Sequence, residues 1–322
     1  IFQSGPWCYG LIPRTFKIDM SFHSKEYVGY GGLDQFIGTV HAREVIRYRT
    51  RFQGIVSQEE GDRELHVITP GEKIAFTKPT QEYCRWHSGD LENGVDPVRR
   101  AYCLGKATSK LGYCAKHRQS LKAIYSKCFE LAGIESIRNC QILDEKAGDK
   151  IEYAVYILAY SSSGLKVGAT RYWRLIYRIA EQPHVLATMV YKSKSAIKTR
   201  ELEVRIGKLS GLTEKPKRSL NEALSTPLVT VVYRIEKIRD KIAKAFAIRN
   251  IGENPIFRVE PGIEVVPYIR AKEKGVRELE GLRLEVIDYY SGYLLLSYPN
   301  NNNYYIVRGN ELLHRNVLKT IS

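Results

Sequence analysis

From Ile46 to Val56 apolar and basic residues alternate (IRYRTRFQGIV), the two-residue period of a strand with one face exposed. Downstream, ELHVITPGEKIAFTK sets two β-rich runs around Pro70-Gly71, which predicts a hairpin. Residues 1–81 read as short strands separated by turns, with no catalytic constellation. The period becomes helical in RQSLKAIYSKCFELAG. Between residues 153 and 182 two apolar runs, YAVYILAY and LKV, flank a Ser/Gly turn. The step Gly168-Ala169-Thr170-Arg171 is then expected to open a helix, with Gly168 permitting the turn and Thr170 as cap. On that helix Arg171, Arg174 and Arg178, spaced i, i+3 and i+7, would share one face. LVTVVYRIEKIRDKIAKAFAIRN predicts a strand running into an amphipathic helix with Ile235, Ile238, Ile242 and Phe246 on one stripe. LRLEVIDYYSGYLLLSYPNNNNYYIVRGNELL predicts a hairpin with its loop at residues 299–303. The expected fold class is α+β, with a β-rich N-terminal region (1–81), a Cys-rich segment (82–145), an α/β core (146–232) and a helix plus β-rich C-terminal region (233–322).

Charge narrows the partners. Lys and Arg number 50 against 35 Asp and Glu, a net charge of +15, which favours a polyanion and most often nucleic acid. The bland alternative is a basic surface that serves solubility. No run approaches the ~18 apolar residues of a membrane span, and no signal peptide is visible, so a cytoplasmic protein without a membrane partner is expected. Ile1 is not an initiator residue.

Cys8 stands alone, whereas Cys84, Cys103, Cys114, Cys128 and Cys140 cluster. In a reducing compartment such a cluster with histidines suggests metal before disulfides. Cys84, Cys103, Cys114 and His117 form a C-x18-C-x10-C-x2-H set, enough ligands for one tetrahedral zinc. His87 competes, because CRWH is also C-x2-H. Cys128 and Cys140 are a second pair or ordinary buried thiols; disulfides or unrelated core thiols are the competing readings of the whole set. All four proposed ligands are side chains, so the zinc would be structural.

The run AVYIL followed by KVG resembles the paired strands of the GIY-YIG nuclease superfamily. The resemblance implies a GIY-YIG-like three-stranded sheet with helices. It aligns Tyr156 with the first tyrosine, Gly168 with the second glycine, Arg178 with the helix arginine and Glu203 with the metal-binding glutamate. Over a longer stretch, the Cys-rich segment, YILAY…LKVGATR…R…EQ, the LEV glutamate and the later LEG resemble an uncharacterised prokaryotic domain-of-unknown-function family related to GIY-YIG proteins. An active member would use Tyr156 on water, Arg178 on phosphate and Glu203 on Mg²⁺. This chain departs at Lys166, which stands where the superfamily has its second tyrosine. A protonated lysine binds phosphate more readily than it deprotonates water. Tyr156 as strand packing and Glu203 as a solvated ion pair with Arg200 or Arg205 are the structural alternatives.

Basic residues surround this core. From Lys192 to Arg218 there are nine Lys/Arg and three Glu, with Tyr172, Trp173, Tyr177 and Tyr191 nearby as stacking surfaces. The expected nucleic-acid-binding set is Lys166, Arg171, Arg174, Lys192, Lys194, Lys198, Arg200, Lys215, Lys217 and Arg218. The sequence thus points to a zinc-stabilised protein binding nucleic acid, either DNA or a structured RNA such as tRNA or ribosomal RNA. A Mg²⁺-dependent endonuclease and a basic interaction scaffold are the alternatives.

Overall fold

A computed structural model of the chain describes residues 10–30, 41–59, 61–79, 81–209, 212, 219–299, 303–312 and 315–319. In chain order the elements are β1 (Leu11–Tyr30), β2 (His41–Glu59), β3 (Leu65–Ile68), β4 (Lys73–Pro79), α1 (Leu121–Glu130), α2 (Gly133–Ala147), β5 (Tyr153–Ala159), β6 (Leu165–Arg171), α3 (Leu175–Ala180), β7 (Leu186–Ser193) and α4 (Ala196–Gly207). They continue with α5 (Leu220–Ser225), α6 (Leu228–Phe246), β8 (Ile256–Glu260), α7 (Val266–Arg270), β9 (Lys272–Glu273), β10 (Arg283–Tyr290), β11 (Tyr293–Ser297), β12 (Tyr304–Arg308), α8 (Gly309–Leu312) and β13 (Arg315–Lys319). The fold is mixed α+β with β-rich ends, as the patterning implies. Its contacts define two units rather than four consecutive regions. One comprises Ile1–Asp19, Thr50–Ala123 and Pro261–Ser322, the other Met20–Arg49 and Ile124–Glu260. The N-terminal strands are long, and β1 and β2 each contribute residues to both units. The expected boundary at 232/233 falls inside α6.

In the second unit the strand order is β6-β5-β7-β8-β2. Strand β5 (YAVYILA) is buried at every position, which explains its unbroken apolar run. It pairs antiparallel with β6 from Tyr153↔Arg171 to Ala159↔Leu165, and antiparallel with β7. Helix α6 covers this core with Val231, Ile235, Ile238 and Ile242. The expected strand at LVTVV is helical from Leu228, directly after Pro227. Val231 and Val232 there are fully buried, so packing overrides the β propensity of the valines. Of the two readings left for Cys128 and Cys140, the structure takes the pair: a disulfide joins α1 to α2. Helix α2 in turn orients α4, because Asp144 accepts from Ser195 Oγ (2.7 Å) and from the Ala196 backbone N–H (2.6 Å).

In the first unit β1, β13, β4, β10, β11, β12 and β9 follow one another across the sheet. Ile55, Ile68, Ile74, Phe76, Leu284, Val286, Leu294 and Val317 fill its core. The β11–β12 hairpin forms as expected, with residues 300–302 of its loop outside the described residues. The hairpin expected around Pro70-Gly71 does not. The chain turns there, with Gly71 at φ +90°. However, β3 pairs with β2, and both edges of β4 are occupied by β10 and β13.

Candidate functional site

The first site lies in the loops before α1. Isolated bridges Tyr83↔Lys106 and His87↔Tyr102 lay two extended segments antiparallel and bring Cys84 beside Cys103. The tight turn in which the His117 N–H meets Cys114 O (3.1 Å) aims Cys114 and His117 the same way. Ligand atoms of Cys84, Cys103, Cys114 and His117 all lie within 4.8 Å of one another. Cys103 Sγ is 3.9 Å from Cys114 Sγ, and His117 Nδ1 is 3.4 Å from Cys114 Sγ and 3.7 Å from Cys84 Sγ. Four ligands about 2.3 Å from a tetrahedral centre stand about 3.8 Å apart, so the residues fit one metal ion such as zinc.

The surroundings act on the thiols in opposite directions. Backbone N–H groups of Cys114 and Gly105 point at the sulfurs of Cys84 and Cys103. Burial works against the Cys114 thiolate, but hydrogen bonds from the His117 backbone and neighbouring groups outweigh it, and its pKa falls. Burial pushes Cys84 up to about 11. Trp86 stacks on His117 with ring centroids 4.2 Å apart, fixing the imidazole plane. His87 does not join the cluster; its Nδ1 faces Lys122 Nζ at 3.1 Å. Cys8 lies outside the described residues.

The second site lies in the other unit, on β5, β6, α3 and α4. Tyr156, only 1% exposed, sits on β5 directly opposite Gly168 of β6. Gly168 is mid-strand and does not turn the chain into a helix. Thr170 caps nothing and is a buried β6 residue. Pairing with β5 carries β6 on to Arg171, and the Tyr172 N–H continues it to Glu152 O (2.7 Å). The helix proper starts only at Leu175. The expected arginine face is therefore broken. Arg171 is buried, with its guanidinium over the rings of Tyr125 and Trp173. Arg174 and Arg178 both pair with Glu181. Burial opposes ionisation of Glu181, but the two guanidinium groups outweigh it and hold its carboxyl down at about 2.

Gln182 is the hub of this site. Its Nε2 donates to Tyr156 OH (2.8 Å) and to Arg178 O (2.9 Å), and its Oε1 accepts from Lys166 Nζ (3.0 Å). Burial raises the Tyr156 pKa against the opposing influence of Arg178. On α4, Glu203 pairs with Arg200 at 2.7 Å, both side chains about 15% exposed, so this is not a solvated surface pair. Burial raises the Glu203 pKa, opposed by Arg200, by Lys166 and by a hydrogen bond from the Ala169 backbone. Tyr156, Lys166, Gly168, Arg178 and Glu203 thus lie around one point, linked by strand pairing, by Gln182 and by short-range electrostatics. Arg200 turns inward, donating to Ser136 Oγ and Leu131 O. Arg205 lies over Phe246. Lys192, Lys194 and Lys198 are exposed, with Lys192 paired to Glu152 (2.9 Å) and set over the Tyr172 ring. Lys215, Lys217 and Arg218 lie outside the described residues.

Sequence reasoning gave no role to Glu181 or Gln182. For Glu181 a signal existed: it is i+3 from Arg178, a spacing of helical ion pairs. No protein-family model, curated protein or solved structure matches the chain. Among the described residues no helix is long and apolar enough to cross a membrane.

Proposed function

We propose that the chain is a zinc-stabilised nucleic-acid-binding protein whose GIY-YIG-like core holds phosphate instead of cutting it. One observation carries this reading: among the described residues around Tyr156, the cations Lys166, Arg174 and Arg178 stand with Glu181, while Glu203 is paired with the inward-turned Arg200. That excess suits a phosphate oxyanion. The exposed Tyr172, Tyr177, Lys192 and Lys194 extend it with stacking surfaces and further charge. Zinc on Cys84, Cys103, Cys114 and His117 would brace the loops that carry it and, with four protein ligands, would leave no position for substrate. RNA such as tRNA or ribosomal RNA and DNA share the phosphate chemistry. The test is fluorescence anisotropy with labelled RNA and DNA across a salt series, alongside identification of any nucleic acid that co-purifies. Binding that weakens steeply with salt is expected; no binding to either polymer overturns the proposal.

A Mg²⁺-dependent endonuclease is the second reading, favoured by the electrostatic proximity of Glu203 to Tyr156. Glu203 would hold the ion. Against it stand the direct Arg200 ion pair and the nearby Lys166, which both compete with a cation for that carboxylate. Lys166 also occupies the place of a proton acceptor, a role commonly worth about 10²–10⁴-fold in rate. Little or no cleavage with Mg²⁺ or Mn²⁺ is expected on duplex, single-stranded or structured substrates. Turnover abolished by both Glu203→Ala and Tyr156→Phe would promote the nuclease instead.

A further inference from the structure

The orientation of the Gln182 amide is set twice over. An ammonium only donates, so the end facing Lys166 Nζ is the oxygen. A carbonyl only accepts, so the end facing Arg178 O is the nitrogen. That nitrogen also donates to Tyr156 OH, making the phenol oxygen an acceptor at 2.8 Å. Behind it, His184 donates from Nδ1 to Gln182 O (2.8 Å), while its Nε2 accepts from the Val259 N–H (3.1 Å). Gln182 is thus held from both its backbone and its side chain, and it is 3% exposed.

The consequence falls on Tyr156. Its hydroxyl already accepts, and among the described residues no acceptor takes its own proton. A buried donor left without an acceptor is costly, and native structures rarely leave one. The neighbours best placed to bring an acceptor are Lys166 and Arg178, both cations with solvent access. Burial also keeps the phenol protonated.

We propose that Tyr156 is a hydrogen-bond donor for a phosphate oxygen and that Gln182 is the positioning residue that holds it in donor polarity. This rests on the phosphate-holding reading above. A glutamate at 182 would reverse the arrangement. A carboxylate has no donor, so it would take the Tyr156 proton for itself and neutralise Lys166.

The test is a double-mutant cycle read by anisotropy with short labelled single-stranded RNA and DNA, with inorganic phosphate as competitor. Tyr156→Phe in the wild-type background is expected to weaken binding about tenfold, the scale of one hydrogen bond to a charged group. Gln182→Glu is expected to weaken it by more, and in that background Tyr156→Phe should cost nothing further. Gln182→Met, which removes the amide without adding charge, guards against misfolding of the glutamate variant, and Tyr156→Phe should likewise lose most of its effect there. A purely structural Gln182 would lower stability without this coupling. If the wild type binds with strong salt dependence but the effects simply add, or Tyr156→Phe binds normally, the inference fails and the broader reading stands. If the wild type binds neither oligonucleotide, both fail.

Discussion

Gly168 makes room for Tyr156: a Cβ at position 168 would stand 2.6 Å from both Cζ and the hydroxyl oxygen of that ring. The ring is rigid and buried, so it cannot swing aside as a flexible side chain would. Gly168→Ala is expected to destabilise the protein by about 1–3 kcal/mol, the usual cost of overpacking. Urea unfolding measures it, and an unchanged midpoint would show that the ring is free to move.

The Cys84, Cys103, Cys114 and His117 cluster predicts composition as well as stability. Protein purified without chelator should carry about one zinc per chain by elemental analysis. Cys114→Ser should release it and lower the melting temperature, because a metal that gathers ligands as far apart in sequence as Cys84 and His117 couples its binding to folding. Metal-free protein with an unchanged melting temperature would count against the site.

Lys192, Lys194 and Lys198 are exposed, whereas Arg200 is turned inward onto Ser136, Leu131 and Glu203. Reversing the three lysines to glutamate should weaken nucleic-acid binding at least about tenfold, roughly 1.4 kcal/mol, with little change in stability. Arg200→Ala should do the opposite, since it strands three inward-facing partners. Equal losses of affinity from both variants would place Arg200 in the binding surface after all.

His184 makes stability depend on pH. Burial lowers its pKa from 6.5 to about 4, and the neutral ring accepts from the Val259 N–H. The folded state therefore holds its proton less tightly than the unfolded chain. The stability it contributes is complete above about pH 6.5 and is lost as pH falls towards about 4, on the order of 3 kcal/mol in all. Thermal melts across this window should show the decline, and His184→Gln should flatten it. A decline equally steep in the variant would assign it to other groups.

Much of this protein is legible in local pattern. The alternation in IRYRTRFQGIV is part of β2, the asparagine-rich loop joins β11 to β12, and the C-x2-H spacing of Cys114 and His117 belongs to the Cys/His cluster. In each case neighbours in sequence, through strand period or tight turns, are enough to set geometry. The same holds for Tyr156 and Gly168, placed opposite one another because a short turn joins their strands.

Only the tertiary structure decided the rest. Whether β6 ends at Gly168 or runs on to Arg171 depends on how far β5 offers it backbone partners, and that choice broke the arginine face. Whether β3 and β4 form a hairpin depends on which edges β2, β10 and β13 have already taken. Cys128 meets Cys140 because α1 and α2 fold together, and Gln182 becomes a hub because α3 returns it to a lysine on β6 and a tyrosine on β5. Strand period and turn chemistry act over a few residues. Pairing partners, buried hydrogen bonds and ion pairs are settled by the packing of distant segments, which no local pattern encodes.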